Sequence, residues 1–573
     1  MPPADASHPP SPPCHVHKFG GSSLADASLY RDAAALVGDP SRTRVVVVSA
    51  MQGVTDGLIA LLDMARAGAP WQPAFDAVRA RHLEAADAID GGRCLSLHAG
   101  LDEEFEELHA HLTGIARGAR VLEPGIAGFG EAFSSRLMHA TLGGSAAGWH
   151  RLDARDVLTV HDGEMGKAVD WPESRARLAA WRALRGEGNV VVTGFLARDE
   201  DGHATTLGRN GSDYSAAIFA NLFDADALTI WTDVDGVLSA DPRLVPDAVP
   251  LPSMSYAEAC ELAYFGAKVL HPQTMAPVQE RGIPLWIRNT KRPDAPGTLF
   301  APGSDRDGAP VKGLSLVRDL AIVELVGNGM VGVPGAAERL FGALRGAGVS
   351  VTMISQGSSE HSICCVLRAD QAERAREAAA AAFADAIADG QAQNVTLTRD
   401  IAVLAAVGDG MVGTPGVAAR LLGGLAQARV NARAIAQGAG ERDISVAIGA
   451  NDATRALRAA HAAFWLSPQS LSVGVIGPGQ VGNALLVQMS AALPQLRQRS
   501  GLDLRLRAIA NSRAMVLDER GVEPADAAAR LYGGAAQPLD LDAFAGHVRG
   551  EHLPHALIVD CSASPLVAAQ YPR

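Results

Sequence analysis

Short runs of β-branched and apolar residues recur over the first three hundred positions, each followed by a polar or glycine-containing turn and then by a helical pattern. Val45–Ser49, Val190–Gly194 and Ala227–Thr232 are such runs. Apolar on both faces, they predict strands of a parallel sheet covered by helices. The Ala-rich stretches Asp76–Ala88 and Ser174–Leu184 carry apolar residues at helical spacing and predict two of those helices. Pro293–Pro310 holds four prolines and three glycines and predicts a linker.

Beyond that segment the pattern repeats with an offset of 81 residues. Arg318-Asp319 returns as Arg399-Asp400, Gly329-Met330-Val331-Gly332 as Gly410-Met411-Val412-Gly413, and Pro334-Gly335 as Pro415-Gly416. Arg339-Leu340 matches Arg420-Leu421, Gln356-Gly357 matches Gln437-Gly438, and Glu360 matches Glu441, all without a gap. Each copy reads strand (Ala321–Val326), glycine-rich turn, helix (Gly335–Ala347), strand (Val349–Ile354), strand (Ser362–Leu367) and a further Ala-rich helix. This is a βαββα unit in tandem, able to set sheet beside sheet with a ligand at the seam. The copies resemble ACT domains, the small-molecule sensors of amino-acid biosynthesis.

A third pattern starts with the apolar run Leu471–Ile476, passes through Gly477-Pro478-Gly479-Gln480-Val481-Gly482 and enters the helical stretch Asn483–Ala492. Strand, GxGxxG turn and helix together predict a dinucleotide cradle built on Gly477, Gly479 and Gly482. The next strand, Leu502–Ala510, ends in Asn511-Ser512-Arg513 in place of an acidic residue, which favours NADP(H) because Arg513 can meet a 2′-phosphate. Ala556–Asp560 leads to Cys561-Ser562. The whole stretch resembles the start of homoserine dehydrogenase as fused to aspartokinase in bacterial and plant bifunctional enzymes, with Asn511, Arg513 and Ser562 beside the cofactor. On that resemblance the dehydrogenase half is incomplete and inactive in this chain, with apolar surface left uncovered.

At 573 residues the chain has room for several domains, and 48% hydrophobic with 20% charged residues is a globular composition. No apolar run approaches the ~18 residues of a membrane span. A net charge of −13 argues against nucleic acid as a partner. Cys14, Cys94, Cys260, Cys364, Cys365 and Cys561 show no metal or disulfide spacing, which fits a reducing cytoplasm and no metal site. Residues 1–14, rich in proline and alanine, read as a disordered tail.

The chemistry concentrates in the first part. Lys18-Phe19-Gly20-Gly21-Ser22-Ser23 follows a short apolar start, where glycines let backbone N–H groups approach phosphate and the lysine supplies a point charge. Its companions are Ser49-Ala50-Met51-Gln52-Gly53-Val54-Thr55-Asp56 after one strand, Gly130-Glu131-Ala132-Phe133-Ser134-Ser135 opening a helix, and Leu207-Gly208-Arg209-Asn210-Gly211-Ser212-Asp213-Tyr214 between strands. Thr232-Asp233-Val234-Asp235-Gly236-Val237 and Phe265-Gly266-Ala267-Lys268-Val269-Leu270-His271-Pro272 follow. Phosphoryl transfer asks mainly for positioning and charge neutralisation, which Lys18 and Asp213 can supply. Read alone, Asp213 is also a helix N-cap before Tyr214, and Glu131 is also a favourable charge at a helix start.

In this order the strings resemble aspartokinases of the amino-acid kinase superfamily from Lys18 to about Phe300. The resemblance implies ATP with Mg²⁺, L-aspartate as acceptor, and Lys18 and Asp213 as catalytic residues. It places aspartate against Ser49, Thr55, Glu131, Arg209, Asn210, Gly211 and Ser212, with Glu131 receiving the ammonium group and Arg209 clamping a carboxylate. ATP falls to Lys18, Phe19, Gly20, Gly21, Thr232, Asp233, Leu238, Arg243, Lys268 and Val269. Leu238 stands where aspartokinases place a tyrosine near the adenine, which implies somewhat weaker nucleotide binding.

The expected class is α/β: an amino-acid kinase domain over 15–305, ACT-like α+β domains over 312–392 and 393–466, and a partial Rossmann domain over 469–573. The expected effector is threonine, held by buried amides of Gln356 and Gln437 at equivalent places in the two copies, and paired ACT domains imply a homo-oligomer. Two rivals stand beside this reading. A superfamily kinase acting on glutamate or another carboxylate would lack the duplicated sensor, and a non-catalytic amino-acid sensor would not need Lys18, Glu131, Arg209 and Asp213.

Overall fold

A computed structural model describes residues 13–571 except 39, 92–94, 120–122, 164–165, 209, 267–269, 304–308, 328–333, 358–360, 467–468, 501, 551–552 and 554. Arg209, Lys268, Val269 and Glu360 therefore lie outside the described residues. Contacts divide the chain into two compact units. As far as they are described, one holds Met1–Val237, Pro250–Ala263 and Val269–Asp305, and the other Leu238–Val249, Tyr264–Lys268 and Arg306–Arg573.

The first unit is built on one eight-stranded sheet. Its strands are β1 (Cys14–Phe19), β2 (Thr43–Val48), β3 (Trp149–Leu152), β4 (Asn189–Thr193), β5 (Ala227–Thr232), β6 (Ser253–Ser255), β7 (Leu285–Asn289) and β8 (Thr298–Ala301), in the order β6-β8-β7-β5-β1-β2-β4-β3. All neighbours are parallel except β7 with β8. Val45 to Val48 are fully buried, as a strand covered on both faces requires. Helices Gln72–Asp90 and Trp171–Arg185 enclose the two predicted ones. Phe75, Phe105, Phe129 and Phe133 pack together in the helical layer over the sheet.

Two expectations change here. β1 begins at Cys14, the last residue assigned to the tail. β8 lies inside the predicted linker, because Thr298-Leu299-Phe300 alternates burial and pairs with both β6 and β7, outweighing the surrounding prolines.

In the second unit the repeated halves share one six-stranded sheet. β9 (Gly313–Val326), β10 (Val351–Gln356) and β11 (Ser362–Arg368) come from the first copy, and β12 (Asn394–Val407), β13 (Ala434–Ala436) and β14 (Asp443–Gly449) from the second. The order β10-β11-β9-β12-β14-β13 sets the two longest strands side by side and antiparallel. The repeated Arg-Asp pair sits midway along each, where the register shifts and Asp319 (φ 58°) and Asp400 (φ 57°) adopt the left-handed conformation that aspartate tolerates better than most residues. The edge strands meet where Ser355 Oγ donates to Ile435 O at 3.0 Å.

A five-stranded sheet completes the unit: β15 (Gln469–Ile476), β16 (Leu502–Ala510), β17 (Ala514–Leu517), β18 (Gln537–Pro538) and β19 (His555–Asp560), ordered β18-β17-β16-β15-β19. β15 pairs parallel with β16 and β19, as a dinucleotide fold demands. Leu557 and Ile558 of the edge strand β19 are exposed. The division between the units falls at Asp305, but Leu238–Val249 packs with the second repeat, where Ala240 and Val245 join a buried cluster containing Leu421, Leu457 and Ala460. Among the described residues no helix is long and apolar enough to cross a membrane.

Candidate functional site

The ends of the central strands of the first unit bring the leading motifs together. Lys18, one residue from the end of β1, is 7% exposed, and its Nζ lies 2.5 Å from Asp213 Oδ1. Asp213 belongs to the first turn of helix Gly211–Leu222, but the N-cap of that helix is Asn210, which makes no side-chain cap bond. The carboxylate therefore serves the lysine and not the helix end. Leu207–Tyr214 leads from a short strand, Ala204–Thr206, into this helix, so it lies between strand and helix and not between strands.

Close backbone approach governs the rest of the cluster. A side-chain carbon on Gly20 would come 3.3 Å from Lys18 Nζ, and one on Gly21 would come 3.0 Å from Ala50 O. Gly194, at the end of β4, would meet Ser212 Cβ and Val48 O, each at 2.8 Å. At Gly194 a side chain would collide with backbone, so glycine lets the end of β4 approach the end of β2 and the helix bearing Asp213. The loop before that helix turns sharply through Gly208 (φ 76°) and Asn210 (φ 60°). Ser49 and Ser212 hydroxyls are 3.1 Å apart. Thr55 is half-buried in the first turn of helix Val54–Arg66, behind the left-handed Gly53.

Glu131 is 2% exposed on helix Phe129–Thr141, and its Oε1 accepts the Ala50 amide at 3.2 Å. Its Oε2 meets no hydrogen-bond donor among the described residues. Burial pushes the carboxyl pKa up to about 8, against the lowering effects of the Ala50 N–H and the Lys18 charge. A buried acceptor with one oxygen unsatisfied suits a cationic ligand group.

At the end of β5, Thr232 Oγ1 donates to Asp233 Oδ1 at 3.2 Å. Asn289 Nδ2 donates to Asp235 Oδ1 at 2.7 Å, and Thr290 Oγ1 donates to Thr232 O at 3.1 Å. Ser23 Oγ in turn lies 2.8 Å from Thr290 Oγ1 and ties the loop after β1 to this motif. Sequence reading passed over Asn289 and Thr290; strand-end polar residues after an apolar run were the available signal. Leu238 and Arg243 belong to the second unit, where Asp241 holds the exposed Arg243 guanidinium bidentately at 2.6 and 3.0 Å.

In the paired repeats Gln356 ends β10 and Gln437 follows β13, at matching places. Both are exposed, which corrects the expectation of buried amides: each stands at the end of an edge strand of the shared sheet. Glu441 Oε2 accepts the Gly413 amide at 2.7 Å, so this glutamate braces the glycine-rich turn of the second copy.

The dinucleotide turn has the required shape. A carbon on Gly477 (φ 84°) would lie 2.7 Å from Ser562 N, one on Gly482 would lie 2.3 Å from Gly477 O, and Gly479 faces open space at the start of helix Gln480–Ser500. Asn511 Oδ1 accepts the Arg513 and Ala514 amides at 2.8 Å and leaves Arg513 exposed. Ser562 N donates to Asp560 Oδ1 at 2.7 Å. These residues fit a dinucleotide pyrophosphate. Among the described residues no three His, Cys, Asp or Glu side chains converge to hold a metal ion. A cavity of about 740 Å³ lined by Arg136, His139, His150, Arg151 and Arg185 stands apart, with no candidate residue in its walls.

Residues 13–289 match the amino acid kinase family, and 323–383 and 404–464 each match the ACT domain. The chain is 39% identical to the chloroplastic bifunctional aspartokinase/homoserine dehydrogenase 1 of Arabidopsis thaliana over 97% of its own length and 62% of that protein's. It is 35% identical to the bifunctional aspartokinase/homoserine dehydrogenase of Haemophilus influenzae, over 97% of this chain and 69% of that one. Among solved structures, Escherichia coli aspartokinase III in complex with aspartate and ADP (R-state) superposes with a TM-score of 0.63 at 27% identity, over 78% of this chain and 99% of that one. The fold thus defines an amino acid kinase family domain followed by paired ACT domains. More particularly, the chain belongs to the bifunctional aspartokinase/homoserine dehydrogenase family. It spans about three fifths of the length of the plant relatives it matches.

Proposed function

We propose that the first unit transfers the γ-phosphoryl group of ATP to the side-chain carboxylate of L-aspartate, giving 4-phospho-L-aspartate and ADP. The observation that carries this reading is the pair of buried Lys18 with half-buried Asp213, 2.5 Å apart beside the Gly20-Gly21 turn. A lysine held in place before substrate arrives costs little reorganisation when charge develops on the transferring phosphoryl group. Asp213 orients it. The half-open carboxyl of Glu131 receives the substrate ammonium, and Ser49, Thr55, Arg209, Asn210, Gly211 and Ser212 hold the carboxylates. Thr232, Asp233, Leu238, Arg243, Lys268 and Val269 take the nucleotide, and Mg²⁺ accompanies ATP. The related structure named with aspartate and ADP supports this pairing of ligands.

Threonine is the proposed inhibitor, acting at the Gln356 and Gln437 edges of the shared sheet, and the paired repeats are proposed to join chains into a homo-oligomer in the cytoplasm. Membership of a family fused to homoserine dehydrogenase supports threonine, because that fusion commits aspartate towards it. For residues 469–573 the reading stops at NADP(H) binding, and homoserine oxidation is not proposed for them.

ADP release should be assayed with a panel of amino acids as acceptors, and then with threonine, lysine and methionine as inhibitors. Aspartate alone should support turnover and threonine should suppress it. Turnover with glutamate in preference to aspartate would assign another acceptor. Inhibition by lysine without a threonine response would reassign the effector, and threonine inhibition unchanged in Gln356→Ala and Gln437→Ala would move its site.

A further inference from the structure

The 81-residue offset aligns helix Ala453–Trp465 of the second repeat with helix Ala372–Ala382 of the first, and the two differ in charge along one face. Asp370, Glu373 and Glu377 of the first copy become Asn451, Thr454 and Arg458 in the second. The places are equivalent in space as well as in sequence. Arg399 Nη2 donates to Glu373 Oε2 at 2.9 Å, and its counterpart Arg318 Nη2 donates to Thr454 Oγ1 at 2.7 Å, so each mid-strand arginine crosses to the helix of the other copy. In the second crossing a hydroxyl has replaced the carboxylate.

Asn451, Thr454 and Arg458 line a cavity of about 390 Å³ whose other wall comes from the dinucleotide segment, with Arg507 of β16 and His547 of helix Leu541–Arg549. A cavity of this size accommodates a small metabolite. Among the described residues its walls set three guanidinium groups, those of Arg455, Arg458 and Arg507, against the single carboxylate of Glu519. Arg455 Nη2 donates to Asp452 Oδ1 at 2.5 Å, which leaves the other two to share Glu519. Arg458 Nη1 lies 3.4 Å from Glu519 Oε1, and Arg507 Nη2 pairs with Glu519 Oε2.

The sharing is uneven. The Arg507 side chain is 2% exposed and that of Glu519 is 40% exposed, so water screens the counter-charge of a buried cation. Burial lowers the Arg507 pKa against the raising effect of Glu519, the direction expected of a cation short of counter-charge. Its guanidinium plane is nevertheless fixed, because Nε donates to Glu519 O at 3.2 Å and Nη1 to His547 O at 3.0 Å.

We propose that this cavity binds a small molecule through an anionic group, phosphate or carboxylate, received by Arg458 and Arg507 between the second repeat and the dinucleotide segment. Guanidinium forks match both oxyanions, and a fork already held in place loses little freedom on binding. Glu519 competes with the ligand for the same two cations. The site shares no residue with the Gly477–Gly482 turn or with Gln356 and Gln437, and it does not depend on the phosphoryl-transfer reading.

Equilibrium dialysis of the full 573-residue chain tests it, against labelled inorganic phosphate and separately against labelled succinate. Arg458→Ala, and Arg458→Glu, which restores the charge of the first copy, should weaken binding of the preferred probe about tenfold or more. Glu519→Gln keeps an acceptor for Arg507 but removes the competing charge, and should tighten binding about three- to tenfold. That gain cannot come from misfolding. Arg497→Ala removes an arginine of the same segment that lines no part of the cavity, and should change nothing. Phosphate responding in this way assigns a phosphorylated ligand, and succinate responding assigns a carboxylate. The proposal is overturned if neither probe binds below about 10 mM, if binding is indifferent to Arg458 and Glu519, or if Arg497→Ala weakens it equally.

Discussion

Replacing Glu131 with glutamine should abolish a pH dependence of aspartate binding that the buried carboxyl otherwise imposes. With a pKa of about 8, the group is largely neutral at pH 7 while the site is empty. An ammonium group beside it favours the carboxylate, so binding must first expel a proton. The ionised fraction is about one tenth at pH 7 and about nine tenths at pH 9. The KM for aspartate should therefore fall about tenfold across that interval, and binding at pH 7 should release close to one proton. Steady-state kinetics from pH 7 to 9, with calorimetry in buffers of different ionisation enthalpy, measure both. The glutamine variant, of nearly equal shape, should show a raised KM that no longer varies with pH.

Stability carries the same signature with its own sign. The folded pKa lies above the ordinary carboxyl value of 4.5, so between about pH 4.5 and 8 the folded chain holds a proton that the unfolded chain has lost. This contribution is complete below the lower value and is lost as pH rises through the upper one. It amounts to a few kcal/mol at most. Chemical denaturation of wild type should show the decline, and Glu131→Gln should lack it. A flat KM from pH 7 to 9 with no proton release, together with a glutamine variant that binds aspartate normally, would remove Glu131 from the ammonium site.

Lys18→Ala should lower kcat by about a hundredfold or more and also destabilise the chain by about 1–3 kcal/mol, because Asp213 loses its charge partner; adding Asp213→Asn should restore stability in denaturant titrations but not turnover. Gly194→Ala should cost about 1–3 kcal/mol through contact with Ser212 and Val48 O, visible as a lower Tm, and a wild-type Tm would show that the backbone yields there. Arg209→Lys should raise the KM for aspartate with kcat nearly kept, since charge survives and the bidentate fork does not; an unchanged KM would count against the clamp.

How far the chain could be read beforehand depended on how local the determining forces are. Val45–Val48 announced a doubly covered strand because burial on both faces leaves no polar position. The tandem repeat announced itself through identical residues, and the Arg-Asp pairs proved to mark the left-handed residues at mid-strand. The pairing of Lys18 with Asp213 could be expected only from the family resemblance: nearly two hundred positions separate them, and an aspartate in a first turn read alone looks like a cap until Asn210 is seen at that position. The same limit concealed Thr290, which reaches Thr232 and Ser23 only across the sheet. The path of Leu238–Val249 was the least legible, since Ala240 and Val245 are unremarkable in sequence and their burial partners lie some two hundred residues on. Gln356 and Gln437 stand at equivalent places in the two copies, but their exposure followed from being at sheet edges, which periodicity does not report.

The antiparallel seam between β9 and β12 joins two copies of one gene segment through their backbones, so neither copy owns a complete sheet. Drift in one is constrained by the other: a single residue inserted on one side of Asp319 would turn every following side chain to the opposite face and break the pairing with its twin. Grafting one repeat from a relative with a different effector therefore transplants half a fold. Changing these repeats without losing the sheet calls for exchanging residues 313–466 as a block.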